Sequence, residues 1–287
     1  MTATRLDAVE RTALLTAALR AAETRRPNRL YEDPFAQRLA GELGPQLLEE
    51  VLRVTFPQSR PRTVPSTPDY NAIRTRFFDE LLQEAAQDQA MTQIVLAPSG
   101  MDSRAYRLPW PDHIRYFEVD RPVVLEHKAM RLAGERPRVD HRTVPVDLVT
   151  QTWEDSLKEA GYDPSAPSTW LLEGLLYYIP ESDGRRMLDR VAAMMAPGSR
   201  IAADIVSATA LAVPDMRPLL DVFAGWGCPW VFGSDDPVAL FAEHGFHTRA
   251  VQPGTGQTLA YSRWADPVPE PGQLGVRRFF YVHGERV

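Results

Sequence analysis

The chain has 287 residues, 44% of them hydrophobic and 24% charged, and a net charge of −6. These are globular proportions, and they exclude collagen-like, mucin-like and disordered chains. A chain of this length buries enough surface to need neither a disulfide nor a structural metal, and no metal is expected. Acidic and basic residues are mixed along it, so it offers no cation cluster for nucleic acid or an anionic membrane. The longest apolar stretch, Trp170 to Ile179, is about half of what a membrane crossing requires, and Glu173 interrupts it. Arg5, Asp7, Glu10 and Arg11 stand where a signal peptide would be apolar, and Cys228 is a single cysteine. A cytoplasmic protein is expected.

Residues 1–90 read as a helical cap. Val9, Ala13, Leu14, Ala17, Ala18 and Ala21 form one stripe at helical spacing; Tyr70, Ile73, Phe77, Leu81, Leu82 and Ala85 form a second. Pro57, Pro61, Pro65 and Pro68 preclude a continuous helix between them. From residue 92 short apolar runs alternate with helical stretches. The runs are 92–97, 114–120, 142–147, 169–174 and 200–206, and the helices 121–133, 151–160, 182–196 and 236–244. Repeated β-α-β predicts an open parallel sheet with right-handed crossovers. The final runs, 246–251 and 277–286, lack an intervening helix and therefore predict an antiparallel pair.

Open α/β sheets bind ligands beyond the carboxyl ends of their strands. Polar residues mark several of those ends here: Gly100 in a loop after the first strand, Asp120 after the second, Asp147 with Leu148 after the third, and Glu173 after the fourth. Asp120 suits the two hydroxyls of an adenosine ribose. Asp147 is equally well read as a helix cap. Glu173 lies in so apolar a run that burial requires a partner. A nicotinamide dinucleotide fits poorly, because the loop has one glycine rather than three and Pro98 removes an N–H that a phosphate would use. An adenosine cofactor without phosphate, S-adenosyl-L-methionine, fits better. Arg74 or Arg76 would take its carboxylate and Glu173 its ammonium. No histidine stands obviously beside this pocket, so no catalytic residue is assigned.

These residues resemble the leucine carboxyl methyltransferase family, in particular its bacterial branch of small-molecule O-methyltransferases, some of which act on polyketide carboxyl groups. The resemblance runs from about residue 8 to 285. It rests on RTALLTAALRAAETRRPNRLYEDPFAQRLAG, NAIRTRFFDELL, VLAPSGMDSRAYRL, FEVDRP, PVDL and LLEGLLYYIP, in that order. It implies a class I, Rossmann-like α/β fold: a mostly parallel seven-stranded sheet, a terminal antiparallel hairpin and the N-terminal cap, with the core at 91–287. It also implies cofactor contacts at Arg74, Pro98, Gly100, Asp120, Asp147, Leu148 and Glu173. Pro98 departs from the family, whose loop commonly begins with glycine. Arg20, Tyr177, Tyr178 and Trp226 are candidate substrate contacts, and 207–235 a candidate lid. The expected partner is a small methyl acceptor, with a carboxylate favoured over a phenol because no base is evident. The competing reading is a protein that keeps the fold without transferring methyl groups.

Overall fold

The computed structural model describes residues 8–55, 64–264, 268–270 and 273–287. Three helices come first: α1 (Ala8–Thr24), α2 (Ala36–Ala40) and α3 (Leu43–Thr55). Ala13, Leu14, Ala17, Ala18 and Ala21 of the predicted stripe are buried. Pro57 and Pro61 lie outside the described residues, whereas Pro65 and Pro68 flank the start of α4 (Thr67–Gln87). Ser66 caps that helix, accepting from Asp69 N, and Pro68 sits in its first turn where no N–H is missed.

The sheet strands are β1 (Gln93–Leu96), β2 (Arg115–Asp120), β3 (Asp140–Pro145), β4 (Ser168–Leu172), β5 (Arg200–Val206), β6 (Phe246–Val251) and β7 (Phe279–Arg286). Their order is β3-β2-β1-β4-β5-β7-β6. The first five run parallel, and β7 enters antiparallel between β5 and β6. The connection from β6 to β7 is not purely loop, since a 3-10 helix occupies Gly256–Tyr261. Between the strands run α5 (Arg104–Arg107), α6 (Pro122–Arg131), α7 (Glu154–Glu159), α8 (Glu181–Met194), α9 (Ala208–Ala212), α10 (Arg217–Gly225) and α11 (Pro237–Ala242).

Strand alternation divides the apolar residues between two layers. Val95, Phe117, Trp170 and Ile201 pack with Leu157 of α7, Leu188 of α8 and Phe241 of α11 on one face. Ile94, Tyr116, Leu171 and Ala202 pack with Ile73, Phe77, Phe78 and Leu82 of α4 on the other. The last part of the segment read as a cap, α4, is therefore a layer of the sheet itself. The remaining cap helices gather with α10 and its flanks into a third cluster over the carboxyl end of the strands. Among the described residues no helix is long and apolar enough to cross a membrane.

Phe77 is fully buried and stacks on Tyr281 with ring centroids 5.1 Å apart. Phe77→Ala should cost about 3–5 kcal/mol, read as a lower urea midpoint with an unchanged m-value.

Candidate active site

Each parallel strand delivers its next residues to the same end of the sheet. After β1 the backbone turns through Pro98 and Gly100; the Ala97–Pro98 peptide is cis and Gly100 has φ +48°, a conformation that favours glycine. Gly100 N–H donates to Asp120 Oδ2 at 2.6 Å, and Arg121 N–H to Oδ1 at 2.7 Å. Burial raises the Asp120 carboxyl above its usual range, against the pull of those two N–H groups.

After β4 comes Glu173, which is not left alone. Arg74 Nε lies 2.9 Å from Oε1 and Arg104 Nη1 lies 2.8 Å from Oε2. Arg74 also reaches Asp204 of β5 through Nη1 at 2.8 Å. Burial would lower the affinity of the Arg74 guanidinium for its proton; Asp204 and Glu173 outweigh it and hold the charge firmly. Asp204 is fully buried yet accepts four hydrogen bonds. Gly174 N–H donates at 2.6 Å, Tyr70 hydroxyl at 2.9 Å, Arg74 at 2.8 Å and Tyr177 hydroxyl at 3.3 Å. Both tyrosine hydroxyls are pushed well above their ordinary range, first by burial and then by Asp204, so they keep their protons.

The ion pairs continue into the cap. Arg104 holds Asp102 at 2.6 Å and Asp79 at 2.7 Å; Arg107 holds Asp79 at 2.7 Å and approaches Asp33 at 4.0 Å. Asp33 is bound by Arg20 Nε at 2.9 Å and Ser103 Oγ at 2.7 Å. Arg20 also donates to the Met101 carbonyl of the glycine loop.

Two cavities share this machinery. One, of about 90 Å³, lies between α1 and the strand ends; Arg20, Arg74, Pro98, Gly100, Asp120, Glu173, Tyr177 and Tyr178 all face it. The other, of about 330 Å³, is walled by the cap, α4 and the segment around α10, including Leu19, Tyr70, Leu219, Phe223, Trp230 and Phe279. Thr12, Thr16, Arg74, Tyr177 and Tyr178 belong to both, so the chambers adjoin.

The structure thus brings eight of the candidate residues together. It does not bring in Asp147, whose carboxylate instead caps its own turn by accepting from Val149 N and Thr150 N. Leu148 packs into the core, and Trp226 packs against Phe223 behind the second chamber. Of the two arginines considered, Arg74 faces the site; Arg76 points away and pairs with Glu80 at 2.7 Å. Sequence reasoning missed Asp204, although an aspartate inside the apolar run RIAADIV is the same signal that singled out Glu173.

The sequence profile of the leucine carboxyl methyltransferase family matches residues 13–192. The chain belongs to that family. A protein of Mycobacterium avium named as a candidate S-adenosyl-L-methionine-dependent methyltransferase is 39% identical over 207 residues, 70% of this chain and 67% of that one. A DUF574 family protein of Streptomyces avermitilis superposes with a TM-score of 0.64 at 14% identity, covering 96% of this chain and 97% of that one. A candidate methyltransferase of Thermobifida fusca gives 0.56 at 17% identity, with 96% and 94% covered. The two structures establish the class I methyltransferase fold. The methyltransferase family in turn identifies S-adenosyl-L-methionine as the cofactor.

Burial raises the Asp33 and Asp102 carboxyls, but the guanidiniums of Arg20 and Arg104 outweigh it and hold both below the ordinary range. A carboxylate whose folded value is depressed stabilises the fold fully above its unfolded value, about 4. That contribution is lost as the pH falls through the folded value. Their contribution to the urea midpoint should therefore be flat from pH 7 to 5 and fall below about pH 4. Asp33→Asn should lower the free energy of unfolding at pH 7 by about 3 kcal/mol and flatten part of the acid fall.

Proposed function

We propose that the protein O-methylates a small apolar metabolite such as a polyketide, at a carboxylate in the first instance and at a phenol as the alternative. The reading is supported chiefly by the junction of the two chambers at Arg74, Tyr177 and Tyr178. The smaller chamber has the donor set for the cofactor. Asp120, only 3% exposed and on the chamber wall, suits the ribose hydroxyls. Glu173 suits the ammonium group. Arg74 spends Nε and Nη1 on Glu173 and Asp204, and its third nitrogen, Nη2, takes no part in those contacts, which suits it to a carboxylate. Asp147 and Leu148, at the end of β3, are proposed for the adenine end. Arg20 keeps α1 seated on the glycine loop. Bound in this chamber, S-adenosyl-L-methionine supplies an electrophilic methyl carbon.

The larger chamber, largely apolar and aromatic, is proposed for the acceptor, with residues 207–235 as its lid. Tyr177 and Tyr178 would hold the acceptor's reacting end, and Trp226 would support the wall from behind. Position and exclusion of water are what the protein contributes to such an in-line displacement. Among the described residues no histidine lines either chamber, and Tyr70 and Tyr177 already give their protons to Asp204. A carboxylate, ionised at neutral pH, needs no base; a phenol would. The cytoplasmic location belongs to the same proposal.

Calorimetric titration with S-adenosyl-L-methionine and its demethylated product should show micromolar binding, and Asp120→Ala should weaken both by about tenfold or more. A labelled-methyl assay over aromatic and polyketide carboxylic acids and phenols should yield an alkali-labile ester. A stable ether instead would move the assignment to a phenol.

A further inference from the structure

Among the described residues that line the larger chamber, Asn71 and Trp230 each bury a polar atom without a hydrogen-bond partner, and of the two only Asn71 offers an acceptor. Asn71, on α4, is 3% exposed and lines the chamber, yet its Oδ1 is buried without a hydrogen-bond partner. Buried side-chain polar atoms are in large majority bonded, and an orphan amide costs stability. Other polar groups of the same wall are engaged: Tyr70 donates to Asp204, Thr16 to the Ala13 carbonyl and Thr55 to the Val51 carbonyl. Asn71 stands three residues before Arg74, so the two share one face of α4 with Cβ atoms about 5–6 Å apart. Arg74 marks the junction with the cofactor chamber.

We propose that Asn71 is a specificity-determining residue: it hydrogen-bonds a hydroxyl that the acceptor carries apart from the oxygen to be methylated. The inference rests on the larger chamber being the acceptor site. A hydroxyl matches the amide on both counts, donating to Oδ1 and accepting from Nδ2. The acceptor class is then a hydroxylated aromatic acid, of which 3-hydroxybenzoate is a simple probe. An acceptor lacking the hydroxyl leaves the amide orphaned and is disfavoured, which is how buried polar groups select.

The test uses Asn71→Leu, which keeps the branched shape, adds bulk and removes the polarity, and Asn71→Gln, which keeps the amide and displaces it. If Asn71 serves the acceptor, Asn71→Leu raises the urea midpoint of the ligand-free protein, whereas a residue with a structural role lowers it. With the protein saturated in the demethylated cofactor, 3-hydroxybenzoate should bind about tenfold more tightly than benzoate. Asn71→Leu should erase that difference by weakening only 3-hydroxybenzoate, and Asn71→Gln should not restore it. A lowered midpoint, or a preference for 3-hydroxybenzoate that is absent in the parent or survives in Asn71→Leu, overturns the inference. Cofactor titration of the parent separates the two readings: no cofactor binding removes the proposed function itself, while normal binding with no discrimination removes only the role of Asn71.

Discussion

A single chain of ion pairs ties the cap to the sheet. It runs Arg20, Asp33, Arg107, Asp79, Arg104, Glu173, Arg74, Asp204, alternating in sign, with Asp102 as a branch on Arg104. Charges this deep are tolerated only when each meets its opposite with good geometry, and removing one strands the next. Arginine suits the task because its planar fork serves two or three carboxylates at once, as Arg104 does for Asp79, Asp102 and Glu173. The chain passes through the α2 entry, the glycine loop, α4, β4 and β5. The position of each element is thereby set by its neighbours' charges as well as by apolar packing.

The alternation of strands and helices was legible because buried parallel strands need near-continuous apolar runs and crossovers need helices. The antiparallel ending was legible for the complementary reason, a connection that carries no pattern of a crossover α-helix. Glu173 could be found because a carboxylate in WLLEGLLYY has no cheap alternative to a partner. Asp204 obeys the same logic but lies within a strand, where attention to strand ends does not reach. Arg74 and Arg76 differ by about 200° around α4, and only knowledge of which helix face meets the sheet separates them. Asp147 and Leu148 lie on the edge that the strand-end rule picks out, but the rule does not foretell that the Asp147 carboxylate also caps its own turn. The boundary of the cap near residue 90 followed from composition, which could not show that α4 lies flat on the sheet.

Work is divided between the two chambers. The smaller is built from α1, strand ends and the loops that leave them, and Arg20, Arg74, Asp102 and Glu173 of its wall belong to the ion-pair chain. The larger takes most of its walls from segments outside the sheet, which are held by apolar contacts such as the stacked rings of Phe223 and Trp230, 5.2 Å apart. Rigid electrostatics thus surrounds one chamber and adaptable packing the other.

Helix α1 serves both, as Arg74, Tyr177 and Tyr178 also do, because Thr12 and Thr16 face both chambers. A substitution there alters two cavities at once, whereas one at Leu219 or Trp230 alters only the larger. In the course of divergence, the segment around α10 is free to vary with whatever molecule it encloses, while the inner face of α1 is held in place by two unrelated demands. Relatives with different acceptors should accordingly agree along α1 and part company around α10, so that one stretch of chain records common descent and the other records use.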